Sequence, residues 1–399
     1  MYILHLTMKL LVKEKLRIIL VVLIFWCVLM FISDDWKYLS QIFVSEETVD
    51  VVVENQKINV TQNSKISSGL VQNIIFLKTH KTGSTTVTNV MQRYSKLNGL
   101  KPALPFCDHR FCYPSKFDDT FLFKHSNKDK YNIIFNHAVF NKENMIKIMA
   151  SNNTKIVTII REPYSQLEST ANYFNFRKFY SLRKDLPLLE ALFKMSDEDL
   201  KRFLHSSDPT MGEGAFYLTK NPNSFDMGFD VWNDSSEYID IVIRRIERDF
   251  NLVMITEYME ESLVLLKNEL MWDLKDVIFC VHNARTTKVQ SPENIEKVRH
   301  RVFQWNKLDY SIYNHFNETF WLKVKSLSPQ FESEVRKLKQ WNRYLHNHCR
   351  FNKSSKFSIF LINDYYKRCK GNFCIDFKTD EVAFTDWFKS MRSNDNIYR

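Results

Sequence analysis

Three stretches of this chain carry side chains whose types and spacing suit holding an anion and moving a proton. The first is the turn Thr79-His80-Lys81-Thr82-Gly83-Ser84. It follows strand formers over residues 73–78 and precedes Val87, Val90, Met91, Tyr94 and Leu97 at helical spacing. A strand turning sharply into a helix leaves unpaired N–H groups and the positive end of the helix dipole aimed at one spot. Gly83 permits close backbone approach, Lys81 adds a full positive charge, and Thr82, Ser84 and Thr85 add hydroxyl donors. Such a turn cradles a phosphate or sulfate group. A nucleotide-triphosphate loop would read GxxxxGK[ST]. Here the Lys precedes the Gly and the first Gly is missing, so ATP or GTP is disfavoured. The competing reading of a bare K-T-G-S is an ordinary strand–turn–helix with a solvated Lys.

The second stretch is KIVTIIREPYSQLESTANYFNF, residues 155–176. Residues 155–160 read as a buried β-branched strand, and Pro163 suits the first turn of the following helix. Arg161 ends the strand, and Ser169 follows it by eight residues, about two helical turns on. Together they suit a second phosphate of the same ligand, the Arg by its bidentate fork. The competing reading is an Arg paired with Glu162 or Glu168. The third stretch, YNIIFNHAVF at 131–140, is another strand that brings His137 to the same carboxyl edge. A histidine there is a candidate general base, although a lone histidine is more often structural.

The elements that must position these groups alternate along the chain. Strands are expected at 73–78, 131–137, 155–160 and 251–256. Helices are expected at 85–97, 141–150, 163–175, 236–250 and 258–271, with a cysteine-containing excursion over 98–130 and loops over 206–230. This order predicts an α/β fold, a mostly parallel sheet with helices on both faces. The last third, with apolar spacing in 292–304, 311–326 and 330–345, is read as helical. In open α/β sheets ligands sit beyond the carboxyl ends of the strands, where Lys81, His137 and Arg161 all fall.

With these residues in place, the chain resembles sulfotransferases that use 3′-phosphoadenosine 5′-phosphosulfate (PAPS), and within them the Golgi galactose-3-O-sulfotransferases. The segments that carry the resemblance are FLKTHKTGSTTV (76–87), FNHAVFN (135–141), IIREPYSQLES (159–169) and NPNSFDMGFD (221–230). They continue with residues 252–279, HNAR (282–285) and LDYSIYNHFNETFW (308–321). The match runs in unbroken order from about residue 73 to 321 and fades beyond about 325. It implies a P-loop-like sulfotransferase fold with PAPS as co-substrate and no metal. The Lys81, Thr82, Gly83, Ser84, Thr85 loop would hold the 5′-phosphosulfate, and Arg161 with Ser169 the 3′-phosphate. Arg285 is a weaker candidate for a late donor-binding loop. Catalysis would fall to Lys81 and His137, with His80 carried over from the T-H-K-T-G-S motif in a less defined role. The implied acceptor is a terminal galactose sulfated at its 3-hydroxyl, on a galactosylceramide-like glycolipid or a glycoprotein glycan. NPNSFDMGFD is read as shaping the acceptor side or as a structural loop.

Topology fits that compartment. Residues 16–32 are apolar apart from Arg17, with Lys9, Lys13 and Lys15 before them and five acids against one Lys over 33–50. The positive-inside tendency then gives a cytoplasmic tail (1–15), a signal anchor (16–32), a lumenal stem (33–70) and a lumenal catalytic domain (71–399). The core of the anchor, 18–32, spans about 22 Å as a helix, short but suited to a thin early-secretory bilayer. A cleaved signal peptide is the alternative, and the long charged leader argues against it. Asn59, Asn152, Asn233, Asn317 and Asn352 head glycosylation triplets. Of seven cysteines, Cys27 lies in the anchor, leaving Cys107, Cys112, Cys280, Cys349, Cys369 and Cys374 in an oxidising compartment. Six cysteines allow 15 pairings and the sequence does not choose among them, although the 107/112 and 369/374 spacings suit small local loops. His346, His348 and Cys349 are read as a helix end rather than a metal site.

The net charge of +10 is dispersed among 46 acids, so no stripe points to nucleic acid. A locally positive cleft for a multiply charged donor accounts for it equally well. Two other functions share parts of this pattern. A uronyl or heparan 2-O-sulfotransferase has the same donor logic, and a silent lumenal carbohydrate-binding protein could keep the fold. The galactose-family segments at 252–321 argue against the first, and intact Lys81, His137, Arg161 and Ser169 against the second.

Overall fold

Four short strands, buried throughout except for the half-buried Lys155, carry the architecture. In the computed structural model these are β1 (Ile74–Leu77), β2 (Ile133–Ile134), β3 (Lys155–Ile160) and β4 (Leu252–Ile255). The structure describes residues 70–126, 128–204, 218–280, 295–327, 329–351 and 373–395. The strands form one parallel sheet in the order β2-β1-β3-β4. Ile74 pairs with both Ile133 and Lys155, and Val157 pairs with Leu252. Near-continuous Ile, Val, Leu and Phe in these strands is what a parallel sheet covered on both faces requires.

The helices used below are α1 (Ser84–Asn98), α2 (Lys142–Ile148), α3 (Pro163–Tyr173), α4 (Pro222–Asp226), α5 (Ser236–Asp249) and α6 (Met259–Leu270). The last third supplies α7 (Ile295–Trp305), α8 (Lys307–Lys325), α9 (Pro329–Phe351), α10 (Phe373–Lys378) and α11 (Glu381–Asp395). From β1 the chain crosses to β2 on one side, then passes back to β3 and on to β4. Right-handed crossovers in opposite directions place α1 on one face and α3 to α5 on the other. That reversal opens a crevice at the carboxyl ends of β1 and β3. The Lys81 turn follows β1 and Arg161 follows β3, so both stand at this crevice.

The expected elements are present, with three differences: α4 is a short helix within the stretch expected as loops, β2 is shorter, and two helices are added at the far end. Strand pairing at β2 covers only Ile133–Ile134 rather than 131–137. Beyond it the 98–130 excursion takes over the bonding: Ala103, Phe111 and Phe117 N–H donate to the carbonyls of Ile133, His137 and Val139 at 2.8, 2.8 and 2.9 Å. The excursion thereby covers what would be an open sheet edge. At the other end, α10 and α11, which the sequence reading did not foresee, return to pack on α1.

Cys107 and Cys112 form the expected local disulfide, with Cα atoms 5.6 Å apart. Cys374 does not pair with Cys369. It bonds Cys349 at the end of α9, across a sequence separation of 25 residues, with Cα atoms 5.3 Å apart. Local spacing is a weak guide here because α10 packs against α1 and brings Cys374 to α9 instead. The expected anchor and stem, together with Arg285, Asn59, Asn352 and Cys369, lie outside the described residues. No helix among the described residues is long and apolar enough to cross a membrane.

Candidate active site

The turn after β1 is held by its own first threonine. Thr79 Oγ1 donates to the Ile159 carbonyl on β3, and Ser84 Oγ donates to the Thr79 carbonyl at 2.5 Å. Thr82 Oγ1 lies 2.8 Å from Thr79 Oγ1. Thr256, at the end of β4, sets its hydroxyl 2.6 Å from the Thr82 carbonyl and 2.9 Å from that of Ile160. The Thr82 and Ser84 hydroxyls, expected as ligand donors, are therefore turned inward to shape the loop. The groups of the turn that remain to face outward are the backbone N–H groups of the first α1 turn, the half-buried Thr85 and Lys81.

Two residues of the turn have left-handed backbone, Lys81 at φ 60° and Gly83 at φ 69°. At Gly83 the reason is also spatial, since a Cβ there would stand 3.0 Å from Met259 Cε. Lys81 projects its ammonium onto the exposed ring of Tyr173, 3.6 Å from the centroid. Tyr173 follows Ser169 by one turn on α3, so the two share a face. Arg161 Nη1 donates to the Lys81 carbonyl at 3.2 Å. Arg161 is thereby joined to the Lys81 turn, and Ser169 lies one helical turn from the ring that Lys81 covers.

Arg161 is not paired with Glu162. That carboxylate caps α3, accepting from Tyr164 and Ser165 N–H at 3.1 and 2.8 Å. The acid beside Arg161 is Glu257, 4.0 Å from Nε, and burial pushes its carboxyl upward.

His137 and His80 meet beside this cradle. Their rings stack with centroids 3.8 Å apart and planes 11° from parallel. His137 Nδ1 lies 3.1 Å from the Lys78 carbonyl, which only accepts, so Nδ1 carries the proton and Nε2 is left as the acceptor. Burial pushes the His137 imidazole well below its ordinary range, and the nearby His80, Lys78 and His109 add to that push. His80 is held from the other side by Asp226. Its backbone N–H donates to Oδ2 at 2.7 Å, and Nδ1 lies 3.1 and 3.0 Å from the two carboxylate oxygens. This contact fixes the His80 tautomer and ring plane.

Asp226 ends α4, so the NPNSFDMGFD segment reaches His80 directly. That segment is locked onto the start of α8. Asp309 accepts from the Asn223 and Ser224 N–H groups at 2.8 and 2.9 Å, and Asn223 exchanges amide bonds with Gln166 on α3. Gln166 in turn donates to the His80 carbonyl at 2.8 Å. Burial raises Asp309 to about 6 despite its donors. Sequence reasoning quoted both segments but assigned no role to Asp226 or Asp309. Nothing in one sequence links residue 80 to residue 226.

Lys78 was likewise missed as a side chain. It is buried at the end of β1 and ion-paired to Glu381 on α11. Its one signal was a lysine closing an otherwise apolar strand.

A sequence model of the family described as Galactose-3-O-sulfotransferase matches residues 3–358, further along the chain than the motifs alone extend. Galactose-3-O-sulfotransferase 3 of Bos taurus is 34% identical over 284 residues, which is 69% of this chain and 63% of the relative. Galactosylceramide sulfotransferase of Homo sapiens is 34% identical over 284 residues, covering 70% of this chain and 64% of the relative. Galactose-3-O-sulfotransferase 2 of Mus musculus is 35% identical over 304 residues, covering 70% of each. The matched part thus spans a little under two thirds of the first two relatives' own length. On the breadth of the matched residues, the chain belongs to the galactose-3-O-sulfotransferase family.

Proposed function

We propose that this protein transfers a sulfonate group from PAPS to the 3-hydroxyl of a terminal galactose, on a galactosylceramide-like glycolipid or a glycoprotein glycan. The observation that carries the reading is the neutral, buried His137, with Nε2 free to accept, stacked on an Asp226-held His80 beside the Lys81 turn. The residues also fit the donor. Two left-handed residues and the start of α1 form a cradle for one anionic group, and Arg161 and Ser169 stand ready for a second.

The donor supplies an activated sulfonate whose leaving oxygen departs with negative charge. Lys81 leaves the Tyr173 face and neutralises that charge, in the manner of electrostatic stabilisation at transferring phosphoryl groups. His137 Nε2 accepts the proton of the acceptor hydroxyl as the hydroxyl attacks. Arg161 and Ser169 bind the 3′-phosphate and set the donor's register. Asp226 keeps His80 in one orientation, so His137 has a fixed face against which to act.

The location proposed is the Golgi membrane, with a type II anchor and the described residues lumenal. Two disulfides suit that oxidising compartment, and Asn152 and Asn233 are exposed where glycans would attach. Incubation of the protein with radiolabelled PAPS and a panel of galactosides, uronides and glycolipids tests the reading. Label on galactosides and galactosyl lipids is expected; label on uronides alone, or on nothing, overturns it.

A further inference from the structure

Glu381 opens α11, beyond the residues matched by the family, yet it reaches the heart of the site. Its carboxylate pairs with the Lys78 ammonium, and both side chains are at least nine-tenths buried, at 10% and 2% exposure. The main chain of the same lysine accepts the His137 Nδ1 proton. One residue therefore touches the proposed base through its backbone and the C-terminal helix through its side chain. Gln92 Nε2 on α1 donates to the Glu381 carbonyl at 3.3 Å, and Asn136, next to His137, donates to Thr385 Oγ1 at 3.1 Å. The C-terminal helix is thus bonded to the chain on both sides of the pair.

We infer that Glu381 is a positioning residue of the catalytic centre: it holds the Lys78 ammonium behind the stacked histidines, where that charge opposes a proton on His137. The inference rests on the proposal that His137 is the base. Burial pulls the Lys78 amine toward its neutral form, and the Glu381 carboxylate is the main group that opposes this, with a smaller contribution from Asp226. A buried pair is a costly way to gain stability, since apolar residues of similar size often serve as well. The other groups facing His137 are His80, backed by Asp226, and on the excursion His109 and Arg110, the latter bridged to His137 through its backbone. None of them lies on α11.

Two variants remove the Lys78 charge by different routes. Glu381→Gln keeps the shape and strips the counter-charge, so burial drives Lys78 neutral. Lys78→Met/Glu381→Leu replaces the pair by apolar side chains and guards against loss of folding. The full chain is labelled at histidine ring carbons, and the His137 titration is followed by NMR, assigned with His137→Asn. Both variants should raise the His137 midpoint by roughly one pH unit, a tenfold change in its proton equilibrium. Binding of 3′-phosphoadenosine 5′-phosphate should stay within a few-fold, and the acid limb of kcat/KM should move upward by the same shift. An unmoved His137 midpoint in a folded variant overturns the inference, whether or not sulfonate transfer is observed. A double variant with wild-type kcat and pH profile does the same, because the pair is then structural alone.

Discussion

The His80 and His137 imidazoles are stacked 3.8 Å apart, and each is held at Nδ1 by a different partner, Asp226 and the Lys78 carbonyl. Two rings so close cannot both take a proton without repelling each other. Burial settles the matter at His137, which is held neutral. A base held unprotonated to low pH is ready to take a proton from an acceptor hydroxyl in the proposed reaction.

The acid limb of kcat/KM should therefore lie below the usual histidine range, not within it. The sign follows from His137 being depressed from its ordinary 6.5. A base that sheds its proton early is active at lower pH. The unfolded chain binds more protons than the folded one below that value, so stability should also fall as pH drops through the same window. A pH–rate series on wild type and His137→Ala checks both the limb and its loss. The variant should lose on the order of 10²–10⁴-fold in kcat while still binding 3′-phosphoadenosine 5′-phosphate. Substantial activity with an unchanged profile would pass the role to His80.

Asp226→Asn should lower kcat by on the order of 10²-fold or more, the loss expected when a histidine's tautomer and orientation are released. Donor binding should change little, since Asp226 contacts neither Lys81 nor Arg161 among the described bonds. Thermal melts run alongside separate loss of orientation from loss of fold. A kcat within a few-fold of wild type would make the Asp226 contact purely architectural.

Much of this site could be read from residue types alone. The strand–turn–helix at Lys81, the Arg161–Ser169 spacing and His137 at a strand end all depend on local pattern, and the parallel sheet sets the ends of β1, β2 and β3 side by side. The inward-facing Thr82 and Ser84 hydroxyls were not legible, because their partner is the Thr79 carbonyl within a loop whose path only the fold fixes. Asp226, Asp309 and Glu381 reach the site over 146, 85 and 303 residues of sequence from the groups they contact. No periodicity marks such pairings. The sequence leaves the Cys349–Cys374 bond open among 15 pairings for a related reason, since the packing of α10 on α1 decides it rather than local cysteine spacing.

Arg161→Ala should weaken the donor nucleotide selectively. Comparing 3′-phosphoadenosine 5′-phosphate with AMP isolates the 3′-phosphate, and the variant should lose most of the preference. A charge-assisted bond of this kind contributes about 1.5–3 kcal/mol, so the loss should exceed tenfold. Retained preference would remove Arg161 from the 3′-phosphate site.

Gly83→Ala tests the cradle without touching a charged group. The residue must hold φ near 69° and its new methyl group meets Met259. The left-handed backbone alone costs about 1–2 kcal/mol. Donor KM should rise and the melting temperature fall. An unchanged donor KM would mean that the turn does not approach the ligand.

The most direct test of the whole account is regiochemical. Wild-type protein is given radiolabelled PAPS with a β-galactoside and, separately, with its 3-deoxy counterpart. The account predicts label on the first, placed at O3 by NMR of the product, and none above background on the second. Equal labelling of the 3-deoxygalactoside, or sulfate at another position, would contradict it.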